Sequence, residues 1–289
     1  MSLPSSDTAV SYPAGALTSE STVLHVEERA DGSVAVLLDA TACHPVDAAW
    51  PDQGADRAVL EVGGSSLPIT DCVVGATDGK ELFLGGDIPV RKGTEGWAFV
   101  VAHLIQGPPP AEGERAVVRV DGAHRQALSA GHTGCHLASL ALNQALADRW
   151  KKEIPADALG TANFDAVAIE TSTITEYGSV DVYRLGRSLR RKGFIIEGFD
   201  PASAETALNQ TLSGWVASGG AIRIARDGER LTDRRYWECD LPEGSVHIPC
   251  GGTHPESLAG LSSVRASLAL EEVDGTPVLT MTTSVLPRP

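Results

Sequence analysis

The spacing of glycine and proline changes near residue 123, and that change constrains the fold more than any other feature. Before it, apolar runs are short and stop at Gly, Pro or an Asp followed by Gly. "STVLHVEERADGSVAVLLDAT" (21–41) reads as a hairpin around Asp31 and Gly32, and "AVLEVGG", "KELFLGG", "GWAFVVAHLI" and "RAVVRVDG" as further strands. "QGPPPAEGE" (106–114) cannot hold regular structure and is a loop. Short strands with such turns predict a small β-barrel or sandwich over 21–122, and the barrel is the expected form. Residues 1–20 are polar and rich in Ser and Pro, and are expected to form a flexible arm.

From residue 123 onward helices enter. "HTGCHLASLALNQALADRWKKE" (132–153) has apolar residues at helical spacing, no proline, and a basic end. "SAETALNQTLSGWVASGG" (203–220) is a second helix, with Ser203 as its N-cap and two glycines as its stop. "AVAIETSTI", "SVDVYRL", "GFIIEGF", "AIRIA", "RRYWECD" and "SVHIPC" read as strands, and the last segment as a long hairpin around Asp274 and Gly275. The expected class is α+β: an N-terminal small β-barrel, then a domain over 123–289 with helices packed on an antiparallel sheet.

No apolar run approaches the roughly 20 residues that span a bilayer, and the start lacks a basic region followed by an apolar block, so a cytoplasmic location is expected. Five cysteines, an odd number and widely spaced, suit a reducing compartment with metal-bound or free thiols. The net charge of −15 argues against nucleic acid as a partner. A local exception is "RLGRSLRRKG", where Arg184, Arg187 and Arg191 share one helix face and Arg190 and Lys192 add to them. Arg223, Arg226, Arg230, Arg234 and Arg235 form a second basic group. Either stretch is a solvated surface with locally paired charges or a phosphate-binding patch.

Chemistry concentrates in two short motifs. His132 and His136 are one turn apart on one helix face, so two imidazoles can reach one cation. Cys250 and His254 close "HIPCGGTH", with Gly251, Gly252 and Thr253 between them. Each motif alone is weak. Together His132, His136, Cys250 and His254 are a full ligand set, and zinc fits their mixed N and S donors best. The glycines permit positive φ and close approach, and backbone N–H groups of 251–253 could face an oxyanion. Thr133 and Thr253 could meet a substrate hydroxyl, although helix and turn hydrogen bonds account for them as well. Cys135 lies beside the site in sequence but about 100° from His136 around a helix, as a core residue would. His247, three before Cys250, is a spare ligand only if it turns inward.

"HTGCHLASLAL" with "PCGGTH" downstream resembles the editing domain of alanyl-tRNA synthetase and its free-standing AlaX relatives, which hydrolyse mischarged aminoacyl-tRNA. "VVRVDGAHRQALSAGHTGCH", "LLDATACHPVDAAWPDQG" and "ETALNQTLSGWVASGGAIRI" resemble further stretches of that family, so the similarity runs unevenly over about residues 22–289. The resemblance implies that 123–289 is a zinc-binding editing domain. It implies Zn2+ as cofactor and aminoacyl-tRNA as substrate; the segment 160–200 has little family character, so Arg184, Arg187, Arg190, Arg191 and Lys192 are expected as tRNA contacts from their charge alone. A chain made of barrel and editing domain would leave no length for ATP-dependent activation.

The departures fall where the family handles the acceptor end and the amino acid. Asp47, Ala48, Ala49 and Trp50 replace its Gly-Gly-Gly-Gln loop, Cys43 and His44 replace Phe-Tyr, and Cys135 replaces a Thr. Asp47, Trp50, Thr133 and Cys135 are therefore candidate substrate-binding residues. The expected substrate is a small hydroxylated amino acid, serine or a threonine analogue such as fluorothreonine, on tRNA for alanine or threonine. Three rivals remain: a zinc hydrolase of a small ester or amide, a non-catalytic tRNA-binding module, and a metal-free editing site in which the same His and Cys position water.

Overall fold

Helix α1 (Gly122–Ala145) starts earlier and stops sooner than its apolar spacing predicts. Asp121 Oδ1 accepts from the backbone N–H of Ala123 at 3.0 Å and of His124 at 3.1 Å, so the first turn is capped well before His132. Gly131 and Gly134 act as contact points in α1. A Cβ at Gly131 would collide with the carbonyl oxygens of Thr175 and Gly178, and one at Gly134 with the Val285 side chain.

The computed structural model describes residues 3–288. The chain is α+β and strand-rich, and forms two compact units. The first holds the residues up to Arg125, Ile224–Arg235 and Gly251–Thr253. The second holds Gln126–Arg223, Tyr236–Cys250 and the chain from His254 on.

The first unit contains β1 (Ala9–Val10), β2 (Thr18–Glu28), β3 (Val34–Leu38), β4 (Ala40–Thr41), β5 (Ala58–Val62), β6 (Ser65–Thr77), β7 (Leu82–Leu84), β8 (Ala98–Ile105) and β9 (Arg115–Val120). The large sheet has the order β5-β9-β2-β3-β8-β6-β7, and β5 pairs with β6 as well. Strand β6 is absent from the sequence reading because Pro68 and Gly75 interrupt it. Residues 65–69 pair with β5, and Ile69 onward pairs with β8 and then β7, with a register shift between Ile69 and Asp71. Val36, Leu38, Leu60, Val74, Phe99, Val101 and Val118 fill the core.

The expected flexible arm is corrected over its described part; Met1 and Ser2 lie outside the described residues. Val10 and Tyr12 are buried, Val10 N donates to Glu229 O at 2.8 Å, and Leu231 N donates to Thr8 O at 3.0 Å. Tyr12 lies between the His44 ring, 4.9 Å away, and the Arg235 guanidinium, 5.6 Å away. The Ser and Pro content of residues 1–20 hid these two apolar anchors.

The second unit carries most of α1, then α2 (Phe164–Ala168), β10 (Ile169–Thr175), β11 (Gly178–Arg184), α3 (Arg187–Arg191) and α4 (Pro201–Ser218). After β12 (Ile222–Arg226), where the chain leaves this unit, come β13 (Arg235–Leu241), β14 (Gly244–Pro249), β15 (Leu261–Val273) and β16 (Thr276–Pro287). Its main sheet has the order β10-β11-β16-β15. The β15–β16 hairpin turns through Asp274 at φ 49° and Gly275 at φ 69°, the left-handed pair the sequence expects there. Residues 166–168 lie in α2 instead of a strand, and 193–199 form only an isolated bridge from Phe194 to Trp150.

Helix α4 is capped by Asp200, whose carboxylate accepts from Ala202 N and Ser203 N, because Pro201 suits the first helical position. It also seals the edge strand β15. Asn209 bonds both the N–H and the C=O of Ala266, and Glu205 Oε2 accepts from Leu268 N at 2.8 Å.

Candidate metal centre

Three imidazoles converge on one thiol in the second unit. Cys250 Sγ lies 3.5 Å from His132 Nε2, 3.4 Å from His136 Nε2 and 3.3 Å from His254 Nε2. The four ligand atoms lie within 4.8 Å of one another, and His132 and Cys250 are buried. A thiol has one proton to donate, yet three nitrogens face it. A common cation accounts for all four donors at once, and the group could hold a metal ion.

Two elements deliver the donors. Helix α1 presents His132 and His136 one turn apart. The β13–β14 hairpin, in register from Tyr236 opposite Pro249 to Leu241 opposite Gly244, ends at Cys250. Trp237 of β13 is fully buried, and its ring stacks on His136 with centroids 4.9 Å apart. Thr133 is fully buried too, and its Oγ1 lies 2.9 Å from His254 Nδ1. That bond fixes the ring so that Nε2 faces the cluster, the usual task of a residue behind a metal ligand. The Thr133 hydroxyl is thus turned to His254.

The other candidates are placed as follows. Cys135 is buried on another side of α1, with Sγ 3.4 Å from Asp181 Oδ1, and burial pushes its thiol up. Ser172 and Ser179 also donate to Asp181, at 2.6 and 2.9 Å. Thr253 lies in the first unit, where Gln53 clamps it twice: Gln53 Nε2 to Thr253 Oγ1 at 3.0 Å, and Thr253 N–H to Gln53 Oε1 at 3.1 Å. Of the loop amides proposed to face an oxyanion, that of Thr253 already has an acceptor. Gly251 is exposed, its φ lies outside the left-handed region, and a Cβ there would meet nothing within 4 Å. Gly252 is buried. His247 is exposed and paired with Glu238 at 3.1 Å, so it turns away from the ligands.

Asp47 of the first unit pairs with Lys92 at 2.6 Å, and Trp50 is 68% exposed with its indole N–H on Asp52 at 2.9 Å. Arg187, Arg190, Arg191 and Lys192 are exposed on and after α3, whereas Arg184 pairs with Glu170 at 3.5 Å. In the second basic group Arg223 pairs with Asp240 and Arg226 with Glu229, and Arg230 and Arg235 donate to backbone carbonyls. Sequence reasoning missed Gln53, Trp237 and Asp181. For Asp181 the signal was present: an acid at an inward position of an apolar strand.

Among the described residues no helix is long and apolar enough to cross a membrane. No protein-family model matches the chain. The chain is similar to an alanine–tRNA ligase of Pyrobaculum neutrophilum, with 24% identity over 258 residues, 86% of this chain. It spans 24% of that relative's length, so what the two have in common concerns about a quarter of the ligase.

Proposed function

We propose that the chain hydrolyses the ester joining a small hydroxylated amino acid, serine or a threonine analogue, to the 3′ end of a tRNA for alanine or threonine, with zinc as cofactor. The observation that carries the reading is the convergence of His132, His136, Cys250 and His254 in a chain similar, over most of its length, to an alanine–tRNA ligase.

The donor set suits zinc. Tetrahedral zinc with Zn–S about 2.3 Å and Zn–N about 2.0–2.1 Å separates sulfur from nitrogen by about 3.5 Å. The three sulfur–nitrogen distances are 3.3, 3.4 and 3.5 Å. Zinc bound there would supply Lewis acidity toward an ester carbonyl or a water. The chain's own residues do the rest. Thr133 and Trp237 hold two of the ligand rings, and the backbone amides next to Cys250 in sequence, those of Gly251 and Gly252, are the donors proposed for a developing oxyanion. In this reading residues 21–122 are a small barrel, a reading supported by the β5–β6 pairing, and residues 123–289 are the editing domain.

One observation favours a second reading. Four protein ligands leave no open position, the usual mark of a structural zinc. A non-catalytic tRNA-binding module would have such a site. The deciding experiment is amino-acid release from seryl-, glycyl- and alanyl-tRNA for alanine and threonyl- and fluorothreonyl-tRNA for threonine, with His132→Ala as control. Release from one substrate, lost in the variant, establishes the hydrolase and identifies its substrate. Binding without release from any of them overturns the hydrolase in favour of the module.

A further inference from the structure

We propose that Lys151, Lys152, Arg187, Arg190, Arg191 and Lys192 form one surface of the second unit that receives the phosphodiester backbone of RNA. The proposal rests on the tRNA reading above and extends it to a second chain segment, at Lys151 and Lys152. All six side chains are exposed, and none forms an ion pair among the described residues.

The fold brings the two segments together. Trp150 bridges to Phe194, Lys151 N donates to Gly193 O at 2.9 Å, and Ile195 N donates to Arg149 O at 2.8 Å. Lys152 Nζ reaches Arg191 O at 2.9 Å. Gly193 makes this approach possible. Its φ is +107°, and a Cβ there would lie 2.9 Å from Lys152 N and Cβ. Lys152 is thereby fixed beside Arg191 and Lys192, an arrangement of like charges that a polyanion relieves. The chain has 23 bases against 38 acids, so six unpaired cations on one patch run against its overall balance.

The chemistry of the patch selects the partner. Leu189 and Phe194 are buried, at 3% and 4% exposure, so the patch offers charge without an apolar anchor. A surface of that kind reads phosphate positions and leaves base edges unread. Arg184 is left out because Glu170 already partners it.

The test is binding of uncharged tRNA to the full chain across a salt series. Two variants are compared, K151Q/K152Q and R187Q/R190Q/R191Q/K192Q, with Lys80→Gln, an exposed lysine of the first unit, as control. Each set is expected to weaken binding roughly tenfold or more. The slope of log affinity against log salt should fall by about one for every cation that meets a phosphate. All six positions are exposed, so circular dichroism and melting should match the parent. Wild-type affinity and slope in both variants would overturn the proposal, as would a polyglutamate peptide competing as well as tRNA does. Patch-dependent tRNA binding by a protein that releases no amino acid would keep this surface and remove the hydrolase reading. Undiminished release at saturating tRNA with weakened binding would support both.

Discussion

Thr133 and His254 are 121 positions apart in sequence, yet the Oγ1 of the fully buried Thr133 sits 2.9 Å from Nδ1 of the half-buried His254. Outer partners of this kind are worth about 10–100-fold in metal affinity. Thr133→Val is therefore expected to weaken zinc binding by that order, while Thr133→Ser, which keeps the hydroxyl, stays near the parent. Competition against a chromophoric chelator measures both. Equal affinity in the valine variant would remove Thr133 from the metal site and return its hydroxyl to the list of substrate contacts.

Gly251 invites a sharper test of the loop between Cys250 and His254. The fold does not require a glycine at 251: its φ is ordinary and a methyl group would enter open space. Gly251→Ala should melt within about 1 °C of the parent, since surface changes away from special features stay within ±0.5 kcal/mol. If substrate approaches this backbone closely, the added methyl group stands in its way, and the same change should cut amino-acid release by about tenfold or more. Unchanged melting with unchanged release would take Gly251 out of the site.

The cluster of His132, His136, Cys250 and His254 was legible in the sequence because its members obey local rules. A helix brings i and i+4 together, and the short span from Cys250 to His254 keeps those two donors close. What escaped is long-range. Nothing in "PDQG" shows that Gln53 will clamp Thr253 across 200 positions. Nothing in "YWECD" shows that Trp237 will stack on His136. Lys151 and Lys152 were read as the end of a helix because apolar spacing carries no information about where Leu146 and the turn after it break the period. The strands of the first unit were mostly readable, whereas Pro68 and a bulge disguised β6. The buried arm was misread because composition is an average and two anchors, Val10 and Tyr12, suffice to hold it.

Asp56 and Arg125 form a buried ion pair in the first unit. Arg125 Nε donates to Asp56 Oδ1 at 2.7 Å and Nη2 to Asp56 Oδ2, while Arg125 Nη2 also reaches Ala42 O at 2.8 Å and His44 N–H donates to Asp56 Oδ2 at 2.6 Å. Both side chains are nearly inaccessible, at 6% and 0%. Removing one partner strands the other charge, so Asp56→Ala or Arg125→Met should each lose about 3–5 kcal/mol. Urea unfolding reads the loss. The double variant should lose less than the sum of the two, because no charge is then left alone; strict additivity would show that the pair does not act as a unit.

His103 gives the chain a predictable acid limit. Its ring is fully buried between Val36 O, 3.1 Å from Nδ1, and Thr41 Oγ1, 2.8 Å from Nε2. A neutral ring with its proton on Nδ1 satisfies both partners. Burial lowers its pKa from 6.5 to about 4, against a smaller upward pull from the Val36 carbonyl. Between those two values the unfolded chain binds the proton and the folded chain does not. Stability from this residue is therefore full above about pH 6.5 and falls as the pH drops toward 4, by about 3 kcal/mol in all. His44, also buried and lowered to about 4, adds a second loss of the same sign in the same window. Urea unfolding of metal-free protein at pH 7.5, 6.0 and 5.0 should show the decline. His103→Gln should be less stable at pH 7.5 yet lose less between 7.5 and 5.0 than the parent. A variant with the parent's pH slope would show that His103 binds its proton alike in the folded and unfolded chain, and that burial does not lower its pKa.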